Sequence, residues 1–381
     1  MQFIDLHRQY EEFHGTMQQR IEAVLQHKQF IQGPEVRELE SRLASYTGRK
    51  YVKSCASGTD ALTISLMALG VRQGDAVFVP SFTFFASAES IALAGGTPVF
   101  VDCREDTFNM SPDALKEAVS GVKSAGKLRP KGIIAVDLFG QPAEYGKICG
   151  IARENGLFVL EDGAQGFGGR IGDQKACSFG DISATSFYPA KPLGCYGDGG
   201  AIFTDSEELA ESIDSIRSHG QGKNKYDNVR IGLNSRLDTI QAAVLLAKME
   251  LFEKELVLRE QIAKMYTEQL KDIIGVPAVL KGYSSCWAQY TLKAKSFEER
   301  KRILQALNQN GIPTAVFYPT PIHRLAAFAD HPFLSHSLDV TEDLSERVFS
   351  VPMHPYLSEA EIGRICSIIR ESIGRSDNDQ Y

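Results

Sequence analysis

None of the seven cysteines (Cys55, Cys103, Cys149, Cys177, Cys195, Cys286 and Cys366) forms a Cys-x-x-Cys pair with another. An odd, scattered set argues against a disulfide framework, a zinc ribbon or an iron–sulfur cluster, and suits a reducing compartment. No apolar run approaches the roughly 20 residues needed to span a bilayer. The opening stretch MQFIDLHRQYEEFHG is charged throughout and lacks an apolar h-region, so no signal peptide is expected and a cytoplasmic location is. Basic residues are not in excess. The net charge is −7, with 41 Lys and Arg against 48 Asp and Glu, which argues against a nucleic-acid or anionic-membrane partner. Internal repeats and low-complexity tracts are absent too. What remains is ordinary globular composition, 43% hydrophobic and 23% charged. A length of 381 residues exceeds what one core usually serves, so two domains are expected.

The first 45 residues read as helix, with Ile21, Val24 and Leu25 at helical spacing and a second amphipathic stretch, Val36, Leu39, Leu43, after Gly33-Pro34. Short β-branched or aromatic runs follow at 76–80, 98–102, 133–138 and 157–162. Helical patterns near 60–69, 86–94, 112–120 and 143–155 separate them. Such alternation predicts a mostly parallel sheet covered on both faces. Strands are expected at 184–188 and 201–204, then a helix over 206–217 and a polar, mobile loop over 219–228. One long helix over 239–270 would bridge to a smaller α+β domain, with a strand at 287–293 and helices near 297–309 and 359–371. The tail 374–381 is expected to fray. The domains are therefore taken as 1–250, an N-terminal arm with the large domain, and 251–381.

Four features fall at expected strand ends, where open parallel sheets bind ligands. Ser57-Gly58-Thr59-Asp60 precedes a helix, so it is either a simple N-cap or a backbone cradle for an anion. It lacks the Gly-Lys-[Ser/Thr] ending of a P-loop. Glu161-Asp162 closes an apolar run, as a helix cap or a ligand partner. Lys191 ends Ser186-Phe-Tyr-Pro-Ala-Lys191 ahead of the turn-rich Gly194-Cys-Tyr-Gly-Asp-Gly-Gly200. A lone lysine is usually solvated, but one desolvated in such a site can act as a Schiff-base amine. Phe82, Phe84 and Phe85 follow the strand at 76–80, as core or as a ring that stacks on a flat ligand. Together an anion cradle, an acid, a lysine and an aromatic match the needs of pyridoxal phosphate.

Five motifs occur in order: Ser57-Gly-Thr-Asp-Ala61, Glu161-Asp-Gly-Ala-Gln165, Ser186-Phe-Tyr-Pro-Ala-Lys-Pro-Leu-Gly194, Gly197-Asp-Gly-Gly200 and Asn234-Ser-Arg-Leu-Asp238. With them the chain resembles the DegT/DnrJ/EryC1/StrS family of sugar-nucleotide aminotransferases, from Phe3-Ile-Asp-Leu6 to Ser350-Val-Pro-Met-His354. The resemblance implies the fold-type I α/β architecture of aspartate aminotransferase with pyridoxal 5'-phosphate as cofactor. It implies Lys191 as the catalytic lysine, Asp162 at the pyridine nitrogen and Gln165 against the ring hydroxyl. Gly58, Thr59 and Ser186 would hold the phosphate, and Phe84 would stack. Asn234 would reach the phosphate of a neighbouring subunit, making the active unit a homodimer. Arg236, Tyr318 and His323 would face the sugar nucleotide, and L-glutamate would be the amino donor. No metal is implied.

Two positions depart from the family pattern. Phe317 stands where many relatives carry His before Tyr-Pro, and Asp137 where many carry His before Leu-[Tyr/Phe]-Gly-Gln, so both are expected near the substrate. The Cys195-Tyr-Gly-Asp-Gly-Gly-Ala201 and Cys286-Trp-Ala-Gln-Tyr290 stretches most resemble members that aminate C3 of UDP-2-acetamido-2-deoxy-3-oxo-glucuronate for O-antigen. The alternatives are C4 amination of a 4-keto-6-deoxy sugar nucleotide, a dehydratase or a non-catalytic sensor. The family's dehydratases carry His in place of the lysine, and Lys191 argues against that class.

Overall fold

Uninterrupted apolar runs decide the centre of the molecule. The computed structural model describes residues 1–224, 226–329 and 337–374. In chain order the strands are β1 (Tyr51–Cys55), β2 (Asp75–Pro80), β3 (Thr97–Val101), β4 (Arg129–Val136) and β5 (Phe158–Asp162). A two-residue hairpin, β6 (Arg170–Ile171) and β7 (Gln174–Lys175), precedes β8 (Ile182–Ser186) and β9 (Gly200–Thr204). β2 and β9 are buried at every position, as sheet covered on both faces requires. Seven strands form one sheet in the order β1-β9-β8-β5-β4-β2-β3. β3, β2, β4, β5 and β8 run parallel, while β9 is antiparallel to both its neighbours.

Helices Pro112–Ala125 and Tyr145–Asn155 cover one face, burying Leu115 and Ile148 against Phe78 and Ile133. Helices Gly58–Ala68, Ala86–Leu93 and Glu207–Ile216 cover the other through Leu62, Ile91 and Ile213. Each such side chain contributes about 1.5–3 kcal/mol by leaving water. Serine hydroxyls start several of these helices: Ser57, Ser111 and Ser206 each accept from the amide three residues on.

A second core is built by Tyr266, Ile303, Phe349 and Ile365 around the antiparallel pair β11 (Tyr290–Lys293) and β12 (Val348–Val351). β10 (Tyr283–Ser284) joins the β6–β7 hairpin. Between β11 and β12 the chain returns to the large sheet, where Ile322, Phe328 and Leu344 enter the core beside Leu62 and Ile91. That return carries Phe317 and Tyr318 to the carboxyl ends of the parallel strands.

Two expectations change. The run 239–270 is two helices, Thr239–Met249 and Phe252–Leu270, because the first packs with Leu39 and Phe203 and the second with Tyr290 and Ile365. One straight helix could not serve both cores. The strand expected at 184–188 is Ile182–Ser186, so Ser186 closes it rather than Tyr188. Within 219–228, Gln221 bridges Asn228 and the Gly222 amide donates to the Asp227 carbonyl, while residue 225 lies outside the described residues. All of the expected fraying tail except Gly374 also lies outside them.

Candidate active site

Strand ends meet at a cavity of about 700 Å³, lined by Ser57, Gly58 and Thr59, by Thr83 and Phe84, by Asp162 and Gln165, by Ser186, Tyr188 and Lys191, and by Asp198, Gln289, Phe317 and Tyr318. Asp162 is the last residue of β5 and Ser186 the last of β8, so the parallel sheet aims both at one place.

The cradle is built by close approach. Ser57 caps its helix by accepting the Asp60 amide through Oγ at 3.0 Å and the Ala61 amide through its carbonyl at 3.0 Å. The other two first-turn amides, of Gly58 and Thr59, have no protein acceptor among the described residues and border the cavity. A Cβ on Gly58 would stand 2.6 Å from Ser186 Cβ and 3.2 Å from its Cα. Only glycine lets the helix start touch the β8 end, where amides, a hydroxyl and the helix dipole together suit an anion. Gly200 serves the same contact from behind, since a Cβ there would meet the Ser57 carbonyl at 2.4 Å.

Asp162 accepts from Ser87 Oγ at 2.7 Å and from the Ala164 amide at 3.2 Å. Burial pushes its carboxyl up from the ordinary value, and these donors together with the Lys191 charge oppose the rise. Lys191 moves the other way: burial lowers its ammonium, and Asp162 opposes the fall. Protein surrounds the amine, yet its open side is the cavity itself. A buried amine poised toward its neutral form is nucleophilic and can carry a proton.

Gln165 receives the Phe139 amide at Oε1 across 2.9 Å and donates from Nε2 to the Tyr318 hydroxyl across 3.0 Å. Burial raises the Tyr318 phenol, so it stays protonated at neutral pH. The rings of Phe84 and Tyr318 lie 6.3 Å apart at 40°, and Phe84 is 56% exposed, leaving one side of the cavity open.

Of the residues named from sequence, Gly58, Thr59, Phe84, Asp162, Gln165, Ser186, Lys191 and Tyr318 come together here. Asn234, Arg236 and His323 do not line the cavity. Asn234 is exposed and accepts from the Arg236 guanidinium, while His323 is buried beside Ser81. Phe317 lies at the cavity wall as expected. Asp137 does not: its carboxyl turns into the core, taking the Ala143 amide and the Tyr145 hydroxyl, with Gly166 packed against it. Sequence reasoning missed Thr83, Ser87, Tyr188, Asp198 and Gln289. Tyr188, Asp198 and Gln289 stood inside quoted stretches, whereas nothing in the chain marks Ser87.

A lysine and a buried acid facing one cavity above a helix-start anion cradle, on this sheet, define a pyridoxal-phosphate-dependent transferase of fold type I. The chain belongs to the DegT/DnrJ/EryC1/StrS aminotransferase family, whose model matches residues 12–370. The UDP-2-acetamido-2-deoxy-3-oxo-D-glucuronate aminotransferase of Pseudomonas aeruginosa is 45% identical, over 97% of this chain and 99% of its own. A crystal structure of a family aminotransferase from Brucella abortus superposes with a TM-score of 0.96 at 47% identity, covering 98% of this chain and 100% of that one. The Bacillus subtilis protein ntda with bound cofactor PMP, 30% identical, reaches 0.87 over 98% and 83%. The cofactor is pyridoxal phosphate, and the uncapped amides of Gly58 and Thr59 fit its phosphate.

Proposed function

We propose that this aminotransferase moves an amino group from L-glutamate to C3 of UDP-2-acetamido-2-deoxy-3-oxo-D-glucuronate, for O-antigen or another surface polysaccharide. Lys191 and Asp162 lining one cavity support the chemistry, and the 45% likeness along nearly both whole chains carries the substrate. When bound, the cofactor supplies an electron sink that stabilises charge on the donor and acceptor carbons. The Gly58 and Thr59 amides with Ser186 Oγ would hold its phosphate, and Gln165 would meet the ring hydroxyl. Asp162 would hold negative charge at the ring nitrogen, and Phe84 would stack on the ring. Lys191 Nζ holds and delivers the proton, since burial favours its neutral form and the cavity leaves it free to turn.

The working unit is a homodimer. Phe30, Ile31, Tyr226, Val229 and Ile231 are exposed apolar side chains, and this region of the surface also carries Asn234 and Arg236. Lys191 is the one cation lining the cavity among the described residues, too few for an anionic nucleotide sugar. Asn234 of the partner subunit would therefore reach the phosphate, and Arg236 of the partner subunit the substrate. Seven unpaired thiols, six of them buried, support a reducing cytoplasm.

Adding L-glutamate to the yellow holoenzyme bleaches it if the donor step is right. The 3-oxo-glucuronate nucleotide then restores the colour. Recovery with a 4-keto-6-deoxy sugar nucleotide alone would overturn the substrate, and no bleaching would overturn catalysis. Co-expressed Lys191→Ala and Arg236→Ala chains regain activity only if sites are shared between subunits.

A further inference from the structure

His323 sits between two segments that wall the cavity without reaching it. Ser81, directly after β2, begins the turn that carries Thr83 and Phe84 to the cavity. Tyr318, five residues before His323, forms the facing wall. Ser81 is fully buried and tied on every side: its amide donates to the Val101 carbonyl at 3.0 Å, and its carbonyl accepts the Ile322 amide at 3.1 Å. Its Oγ lies 2.7 Å from His323 Nδ1 and accepts the His323 amide at 3.4 Å. His323 Nε2 lies 3.0 Å from Glu342 Oε1, which the Arg324 guanidinium also holds. The imidazole is 4% exposed and packs 6.3 Å from the Phe100 ring.

These partners assign the tautomer. Glu342 is ionised and offers no hydrogen, so Nε2 carries one. In the neutral ring Nδ1 is then an acceptor, which takes the Ser81 hydroxyl hydrogen while Ser81 Oγ takes the His323 amide. Every polar group is satisfied, and neither ring nitrogen is left for a ligand.

Resting on the aminotransferase reading above, we propose that His323 is a positioning residue: its bond to Ser81 staples the Ser81–Phe84 turn to the Tyr318 segment, and it does not touch the substrate. The consequence reaches the cofactor side by two routes. Thr83 Oγ1 lies 3.3 Å from Ser87 Oγ, the hydroxyl that donates to Asp162. Tyr318 receives the Gln165 amide. Both ends of the staple therefore bear on groups that would contact the cofactor ring, and a displacement near 1 Å at such groups costs up to about 100-fold in rate.

The test separates the two ring nitrogens. Asn places an amide where Nδ1 stood and can still meet Ser81, whereas Gln reaches the Nε2 position and keeps only Glu342. In the glutamate bleaching step of the holoenzyme, His323→Gln and Ser81→Ala should each slow turnover about tenfold, with half-saturating glutamate little changed. His323→Asn should stay within about twofold, and Ser81→Ala added to His323→Gln should cost no more than either alone. The visible circular dichroism of the bound cofactor should shift in the Gln variant and stay native in the Asn variant. In the cofactor-free protein, imidazole nitrogen resonances should report hydrogen on Nε2 and an acceptor at Nδ1. Equal losses for Asn and Gln, or wild-type rates for both, would overturn the staple. So would a variant that leaves the glutamate step intact and raises only the half-saturating sugar nucleotide, because His323 would then be a substrate contact. A wild-type protein that fails to bleach overturns the aminotransferase reading instead, and the resonances still judge the staple.

Discussion

Ser87 donates a 2.7 Å hydrogen bond to Asp162 from the first turn of helix Ala86–Leu93, so two different strand–helix junctions meet at one carboxylate. Burial alone would favour the protonated acid, which could not pair with a protonated ring nitrogen. The Ser87 hydroxyl and the Ala164 amide hold the charged form. Ser87→Ala removes a bond to a charged group worth about 1.5–3 kcal/mol. The Asp162 carboxyl should rise further, moving the acid limb of kcat/KM for glutamate up by about one pH unit. Activity is lost as pH falls through the Asp162 value, so the variant should fail at a pH where wild type still works. An unmoved acid limb would refute this role.

Lys191→Ala should keep the fold and lose the glutamate step by about 100- to 10,000-fold. Its melting should add a second reading. The folded amine lies below its ordinary value, so its charged form is penalised in the native state. Wild-type apoprotein therefore gains stability as pH rises through that lowered value, and the alanine variant lacks the gain. The variant's stability advantage should be largest at low pH and shrink as pH rises. Calorimetry across that range checks it.

How much of this could be read from the chain depends on whether position follows from local pattern. Lys191, Asp162 and Gly58 were legible because each closes or follows an apolar run, and a parallel sheet brings such ends together. Ser87 was not, because a serine in a first helical turn looks like any cap until Asp162 is seen opposite. Asp137 was misplaced for a related reason. It also ends a run, but its side chain falls on the far side of the sheet end, which period-two alternation of the irregular residues after β4 cannot fix. Asn234 and Arg236 lie outside this chain's cavity, and it was the motif Asn234-Ser-Arg-Leu-Asp238, not the strand-end pattern, that pointed to them.

Gly58→Ala should weaken the cradle. Its new Cβ would meet Ser186 Cβ at 2.6 Å and backbone Cα at 3.2 Å, so the helix start or the β8 end must move. Cofactor affinity, measured by titrating apoprotein and following the visible band, should fall by about tenfold or more, since amide geometry sets phosphate binding. Gly15→Ala provides the contrast. It lies in helix Leu6–His27 with nothing within 4 Å of the new Cβ, so it should stabilise by about 0.5–1 kcal/mol and leave affinity unchanged.

Asp137 and Glu161 form a buried acid pair beneath the site. Glu161 accepts the Cys177 amide at 2.5 Å, the Phe179 amide at 2.8 Å and the Ser183 hydroxyl at 2.8 Å, the bonding of an ionised group. Asp137 already takes the Ala143 amide and the Tyr145 hydroxyl on one oxygen, and burial beside the Glu161 charge pushes its carboxyl well up. Asp137 therefore keeps its proton and shares it with Glu161. An amide can replace a protonated acid as donor but cannot replace an ionised acceptor. Asp137→Asn should be nearly neutral at acid pH, while Glu161→Gln should cost about 1–3 kcal/mol by stranding its donors. The pH trend follows from the sign. A raised folded value means wild type loses stability as pH climbs from the unfolded value toward the folded one, and Asn carries no proton to lose. The stability of Asp137→Asn relative to wild type should therefore grow with pH. Denaturant melts of both variants at acid and alkaline pH decide it, and a shrinking difference would show that Asp137 is ionised.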